Sequence, residues 1–116
     1  MKLAANIAIV FVAVEHFAFL VLEMFLWTKP AGRRIFGLTA EVAQSSKELA
    51  MNQGLYNGFL AAGLIWSLFA GFPARVFFLT CAIIAGVFGA ITAKPTIFWV
   101  QAVPAAIAVV LVFFAH

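Results

Sequence analysis

Long apolar segments with almost no charge constrain the fold of this chain more than any other feature. Hydrophobic residues make up 66% of its 116 residues and charged residues only 9%, against roughly 45–50% and about 25% in a soluble domain. This composition excludes a soluble globular fold and a disordered chain. A nucleic-acid partner is also disfavoured, because the net charge of +3 comes from only seven Lys and Arg without a dense basic face. We therefore expect an integral membrane protein surrounded by the lipid bilayer.

Four segments are apolar over the length that a membrane helix needs, about 20 residues for roughly 30 Å of hydrocarbon. We expect an all-α fold in which four transmembrane helices form a compact bundle and a single domain over residues 1–116. The predicted spans cover about residues 3–28, 49–70, 76–93 and 96–114. The first segment is interpreted as a retained span, because it is too long for the apolar region of a signal peptide and contains acidic residues.

Proline, glycine and small residues suggest how the spans end and pack. A tight turn is predicted at residues 71–75, and Pro104 is predicted to kink the fourth span. Small residues at four-residue spacing allow helix backbones to approach closely. Two such faces are predicted to pack, on the second and third spans: Gly54, Gly58 and Ala62, then Cys81, Ala85, Gly89 and Ala93.

The connection over residues 29–47 mixes basic and apolar residues, as a segment in the membrane interface does. Thr39 is expected to cap a short helix. Ser45, with Glu48 three residues later, is typical of a capping box at the start of the second span. The second helix is therefore predicted to begin near Ser46 or to run back to Thr39.

The distribution of basic residues predicts the orientation. Five of the seven lie on the side of the first and third connections: Lys29, Arg33, Arg34, Lys47 and Lys94. We expect a multi-pass protein of the cell (inner) membrane, with the long connection in the cytoplasm and both termini outside.

The first span contains three ionisable residues, Glu15, His16 and Glu23, which are the candidate catalytic residues. Ionisable groups inside a membrane are costly and usually mark function or partner contacts. At ~100° per residue, His16 and Glu23 lie within about 20° of each other on one face of the helix. The alternative is a structural pair in which His16 neutralises one of the two carboxylates.

A second group of polar residues is predicted to meet this face. Antiparallel neighbouring helices joined by one loop would bring polar residues of similar depth together. The alternative is that the amide side chains only bond neighbouring helices. The candidate ligand-binding residues are Asn52, Gln53, Tyr56 and Asn57 of the second span, with Trp27 and Gln101 at a similar depth.

Three segments of the chain also resemble a known family. These are residues 23–27 (EMFLW), Gly32-Arg33 with Phe36-Gly37, and residues 52–58 (NQGLYNG). They resemble the small prokaryotic and fungal membrane proteins called domain of unknown function 1304. The resemblance extends over the whole chain and implies a four-span membrane protein, and it brings no activity with it.

The polar residues favour an intramembrane pocket for a small apolar molecule. A carboxylate and an imidazole in a dry site suit proton transfer, and amides could orient an oxygen atom of a substrate. We therefore expect a ligand-binding protein or a cofactor-free acid–base enzyme such as an isomerase. By analogy of residue types alone, membrane sterol isomerases use similar groups.

Three other interpretations remain open. The length and the mid-membrane Glu15 resemble small multidrug resistance proteins, which are proton-coupled transporters, although the long first connection departs from their pattern. The chain could also be an accessory subunit without its own site. His16 could instead ligate haem or a metal, but one His with two Glu is an incomplete set for zinc. Because so small a bundle often needs neighbours to enclose a cavity, a homo-oligomer is also considered.

The predicted orientation can be checked by cysteine labelling. In a Cys81→Ser background, Ser45→Cys should react with a membrane-impermeant maleimide only after the cells are permeabilised, because residue 45 lies in the cytoplasmic connection. A cysteine added after His116 should react in intact cells and serves as the control. Labelling of Ser45→Cys from outside intact cells would contradict the orientation.

Overall fold

The computed structural model describes residues 1–116 and consists of helices joined by short connections, without strands. The expected all-α fold is thus confirmed. The helices are α1 (Lys2–Met24), α2 (Pro30–Phe36), α3 (Ala40–Ser45), α4 (Lys47–Ala70), α5 (Phe72–Thr92), a π-helical segment (Phe98–Ala102) and α6 (Val103–Ala115).

Three helices are long and apolar enough to cross a membrane: α1, α5, and the helix over Phe98–Ala115 that joins the π-helical segment to α6. Their length and apolar composition indicate a membrane protein. The fourth long helix, α4, has 24 residues but does not belong to this group, because Asn52, Gln53 and Asn57 make its first half polar.

The chain forms two compact units, which we describe separately. The first unit comprises Met1–Glu15 and Leu60–His116, and the second comprises His16–Phe59. In the first unit, segments of α1, α4, α5 and α6 share one apolar core, which consists of Ala5, Ile9, Val12, Ala13, Leu64, Leu79, Ala82, Ala105, Ala108 and Val112. The many alanines among these residues allow the helices to approach closely.

The break between α4 and α5 is shorter than predicted. Gly71 alone separates the two helices, and its φ of 102° is a conformation that favours glycine. α5 therefore begins at Phe72 and not near residue 76. Arg75 donates hydrogen bonds to the carbonyls of Ser67 (3.2 Å) and Leu68 (3.0 Å). It thereby satisfies carbonyls at the end of α4 that have no partner within their own helix.

The small-residue face of α5 was predicted correctly only in part: Gly89 packs closely, since a Cβ atom there would lie 3.0 Å from a methyl carbon of Ile97. Ala85 and Ala93 are exposed, whereas Ala82 and Gly86 are buried. A Cβ atom at Gly86 would lie 2.5 Å from the backbone nitrogen of Ala102, so this glycine allows α5 to contact the π-helical segment. The sequence offers two overlapping small-residue repeats on α5, and only the packing distinguishes them.

The last span contains a π-helical segment directly before Pro104. Residues Phe98–Ala102 form this segment, and the backbone N–H of Val103 bonds to the carbonyl of Phe98. Pro104 stands in the first turn of α6. Proline has no N–H and its ring collides with the carbonyl four residues earlier, so the wider turn before it accommodates the ring.

The connection over residues 29–47 consists of two short helices. The hydroxyl of Thr39 accepts a hydrogen bond from the backbone N–H of Val42 (3.1 Å), which confirms the predicted cap of α3. The predicted capping box is wrong, because Ser45 is the last residue of α3 and its hydroxyl donates to the carbonyl of Val42 (3.1 Å). α4 begins at Lys47, one residue from the predicted start near Ser46.

The contact at Gly86 should be sensitive to a single added methyl group. Gly86→Ala should destabilise the protein by about 1–3 kcal/mol, because the new Cβ atom meets the backbone of Ala102 and overpacked sites cost that much. Ala85→Leu, at the neighbouring exposed position, should change stability by less than about 0.5 kcal/mol. Thermal unfolding of the purified protein in detergent would compare the two variants. Equal melting temperatures for Gly86→Ala and the unmodified protein would contradict the close contact.

Candidate functional site

In the second unit, α1 and α4 are in close contact through two glycines. A Cβ atom at Gly54 would lie 2.6 Å from Cγ of Met24 and 3.1 Å from Cβ of Glu23, and one at Gly58 would lie 2.5 Å from a methyl carbon of Leu20. The later residue of α4 meets the earlier residue of α1, so the helices run antiparallel here. This confirms the prediction that the two helices are antiparallel neighbours.

The close approach places the amide of Asn57 against the carboxyl group of Glu23. The Nδ2 atom of Asn57 donates a hydrogen bond to Oε1 of Glu23 at 2.5 Å. Glu23 is only 4% exposed and Asn57 is half-buried. Asn57 therefore gives Glu23 a hydrogen bond without a compensating charge. The predicted contact between Glu23 and the polar residues of α4 is confirmed for Asn57.

His16 is the other buried polar residue of this unit. It is fully buried, and its ring meets the edge of the Phe19 ring at a centroid distance of 5.3 Å. His16 and Glu23 are two helical turns apart on the same face of α1, which corresponds to ~10 Å along the axis. Phe19 lies between the two residues in the sequence, one turn after His16 and one turn before Glu23.

Glu15 belongs to the first unit, although it precedes His16 directly in the chain. Its side chain is half-buried, and its Oε1 atom is buried without a hydrogen-bond partner. Adjacent residues on an α-helix diverge by ~100°. Glu15 and Glu23 therefore stand in different surroundings: one carboxyl oxygen lacks a partner, and the other carboxyl group accepts a bond from an amide.

Three of the predicted ligand-binding residues of α4 are exposed and not buried against α1. Asn52, Gln53 and Tyr56 are exposed, whereas Gly54, which faces α1, is buried. Two residues correspond to ~200° of rotation, so Asn52 points almost opposite to Gly54. Of the four polar residues at the start of this helix, the structure brings only Asn57 to Glu23.

Trp27 has structural contacts in the connection after α1. Its indole N–H donates a hydrogen bond to the hydroxyl of Ser46 (3.0 Å), and its ring packs on Phe36 at 4.8 Å. Gly32 makes this packing possible, because a Cβ atom there would lie 1.9 Å from the carbonyl oxygen of Leu26. Gln101, the last predicted residue, is half-buried in the π-helical segment of the first unit.

The predicted small-residue face of α4 packs closely at Gly54 and Gly58, and its partner is α1. Ala62, the third predicted member, is exposed. The four-residue spacing indicated a close approach, but it did not indicate which helix the glycines meet or that Asn57 lies beside them. The sequence did not indicate that Ser46 accepts a hydrogen bond from Trp27, because Ser46 is only one of several polar residues in that segment.

No group of three or more His, Cys, Asp or Glu side chains is arranged to hold a metal ion. The chemistry available from the second unit is that of one buried carboxyl group, the amide that contacts it, and an imidazole two turns away.

Comparison with known proteins identifies a family and a relative of this chain. Residues 10–113 match the family described as Protein of unknown function (DUF1304). The uncharacterized protein YpaA of Lactococcus lactis subsp. lactis (strain IL1403) is 31% identical over 108 residues, which cover 89% of this chain and 91% of that protein. No solved structure matches the chain.

The bond between Asn57 and Glu23 should contribute measurably to stability. Asn57→Ala should lower the free energy of unfolding by about 1–3 kcal/mol, because it leaves a buried carboxyl group without its donor. Gln44→Ala, which removes an exposed amide of the same unit, should change it by less than about 0.5 kcal/mol. Thermal unfolding in detergent would measure both. If the two variants behaved alike, the bond would not be formed in the protein.

Proposed function

The chain belongs to the DUF1304 family, and we propose that it is an integral membrane protein that binds a small, mostly apolar molecule beside Glu23. We further propose that it acts on this molecule as a cofactor-free acid–base enzyme such as an isomerase. The observation that supports this is the buried Glu23 carboxyl group, held by the neutral amide of Asn57. A buried, weakly compensated carboxyl group inside a membrane helix is a candidate functional group by default.

The membrane arrangement that accompanies this proposal has four spans. α4 would cross the bilayer with the three more apolar helices, because its 24 residues extend over ~36 Å. Leu64 of α4 also lies in the same core as residues of α1, α5 and α6. Both termini would lie outside the cell membrane, as the distribution of basic residues favours.

Each buried polar residue of the second unit would have a distinct role. Asn57 holds Oε1 of Glu23, so Oε2 is the oxygen that would exchange a proton with the ligand. In an isomerisation, Glu23 would take a proton from one carbon of the ligand and return it to another, with no net oxidation or reduction. His16, ~10 Å along the same face, would contact the far end of a ligand of that length.

A proton-coupled transporter is the second candidate function. The supporting observation is the buried Oε1 atom of Glu15, which has no hydrogen-bond partner. A carboxyl group of this kind can exchange a proton for a cation in alternation.

Neutral substitutions of the two glutamates distinguish the two functions. Glu23→Gln keeps an oxygen that can accept the bond from Asn57 and removes the proton-exchanging carboxyl group. If the chain holds a ligand beside Glu23, native mass spectrometry of the protein extracted from its membranes should detect a small apolar molecule. Its occupancy should fall about tenfold or more in Glu23→Gln, which corresponds to about 1.4 kcal/mol, and should persist in Glu15→Gln.

If the chain is a proton-coupled transporter, Glu15→Gln should impair its function and Glu23→Gln should not. Glu15→Gln should then abolish proton-driven movement of a lipophilic cation such as ethidium in reconstituted vesicles, and Glu23→Gln should retain it. If both variants kept ligand occupancy and cation transport unchanged and only melted at lower temperature, the two carboxyl groups would be structural. The chain would then fit the description of an accessory subunit.

A further inference from the structure

Three basic residues lie close together directly after α1. Lys29, Arg33 and Arg34 fall within six residues, and no acidic residue occurs between Glu23 and Glu41. The backbone N–H of Arg33 bonds to the carbonyl of Lys29 (3.0 Å), so these two residues occupy successive turns of the chain. We call the three residues the basic cluster.

Arg33 is held in place by the protein, but its charge has no partner there. Its side chain is half-buried, and its Nε atom is buried without a hydrogen-bond partner. The guanidinium group forms no ion pair with any of the four glutamates. A partly buried charge without an opposite charge is costly, so a bound anion would stabilise it. Because the stem is already held, the side chain would lose little conformational entropy when its terminal nitrogens bind such an anion.

Two contacts fix the basic cluster close to the end of α1. A Cβ atom at Gly32 would lie 1.9 Å from the carbonyl oxygen of Leu26, and the rings of Phe36 and Trp27 pack at a centroid distance of 4.8 Å. α2 therefore folds back on the residues that follow α1. Since α1 is long and apolar enough to cross a membrane and ends at Met24, the cluster lies close to the point where α1 would leave the bilayer.

We propose that the basic cluster binds the phosphate group of an anionic phospholipid. A guanidinium group offers parallel N–H donors that match two oxygens of a phosphate, and Lys29 and Arg34 add positive charge next to Arg33. Three positive charges without a negative one favour a lipid with net negative charge over a zwitterionic lipid. Phe25 and Ile35, which are exposed apolar residues on either side of the cluster in the sequence, suit contact with the acyl chains of the same lipid.

The lipid would supply the negative charge that Arg33 lacks and would hold α2 at the membrane surface. This site uses none of the side chains assigned to the candidate site around Glu23. The two proposals can therefore be tested separately, and the failure of one leaves the other unaffected.

Native mass spectrometry of the full chain in detergent, with added lipid, tests the site. The probes are phosphatidylglycerol, which is anionic, and phosphatidylcholine with the same acyl chains, which is zwitterionic. The unmodified protein should retain more phosphatidylglycerol than phosphatidylcholine. Arg33→Gln should lower the retention of phosphatidylglycerol about fivefold, which corresponds to the contribution of about 1 kcal/mol from one basic residue at an anionic surface.

Two further variants and a matched control accompany Arg33→Gln. Lys47→Gln is the control, because Lys47 is an exposed cation of the same unit outside the basic cluster, and it should leave retention unchanged. Arg33→Lys keeps the charge without the planar donors and should give an intermediate retention. Lys29→Gln combined with Arg34→Gln changes only exposed residues and should also lower retention about fivefold or more. This double variant keeps the test valid if circular dichroism shows that Arg33→Gln loses helix content.

Three results would overturn the proposal. Equal retention of phosphatidylglycerol by the unmodified protein and by the double variant would show that the basic cluster does not bind the lipid. An equal loss in Lys47→Gln and Arg33→Gln would show that only the total charge matters. Release of phosphatidylglycerol by inorganic phosphate at millimolar concentration would identify a free phosphate, and not a lipid, as the ligand.

Discussion

The close approach of α1 and α4 at Gly54 and Gly58 is the contact on which the candidate site depends. Without side chains at these two positions, the backbone of α4 packs directly against Leu20, Glu23 and Met24. Only at such a separation can the short side chain of Asn57 reach the carboxyl group of Glu23. Packing between small residues is a main source of helix association in lipid, where apolar surfaces gain little from contact with each other. The same contact therefore stabilises the helix pair and creates the polar site.

The two units differ in what their helices bury. The first unit is built around an aliphatic core with many alanines, and its buried serine, Ser67, bonds to a carbonyl of its own helix (2.6 Å). The second unit buries His16 and Glu23, whose side chains can act chemically. α1 and α4 contribute to both units. The same two helices thus contribute apolar residues to the core of one unit and buried polar residues to the other.

The helices themselves were largely predictable, because apolar runs longer than about 20 residues leave few other structures in a membrane. The directions of the side chains were less predictable. The polar residues of α4 cover an arc too wide for one neighbour to contact, so the pattern alone could not tell that Asn57 turns inward while Asn52 turns outward. Ser45 shows a similar limit: its spacing fits a capping box, but its hydroxyl bonds within α3 instead.

The pairing of Glu23 with an amide has a physical consequence for the carboxyl group. A buried ion needs charge compensation, and the neutral amide of Asn57 gives a hydrogen bond but no opposite charge. Asn57 therefore holds one carboxyl oxygen in place without favouring the ionised form as strongly as a cation would. The proposed acid–base role depends on this property, because a group that transfers protons must be able to exist in both its ionised and its neutral form.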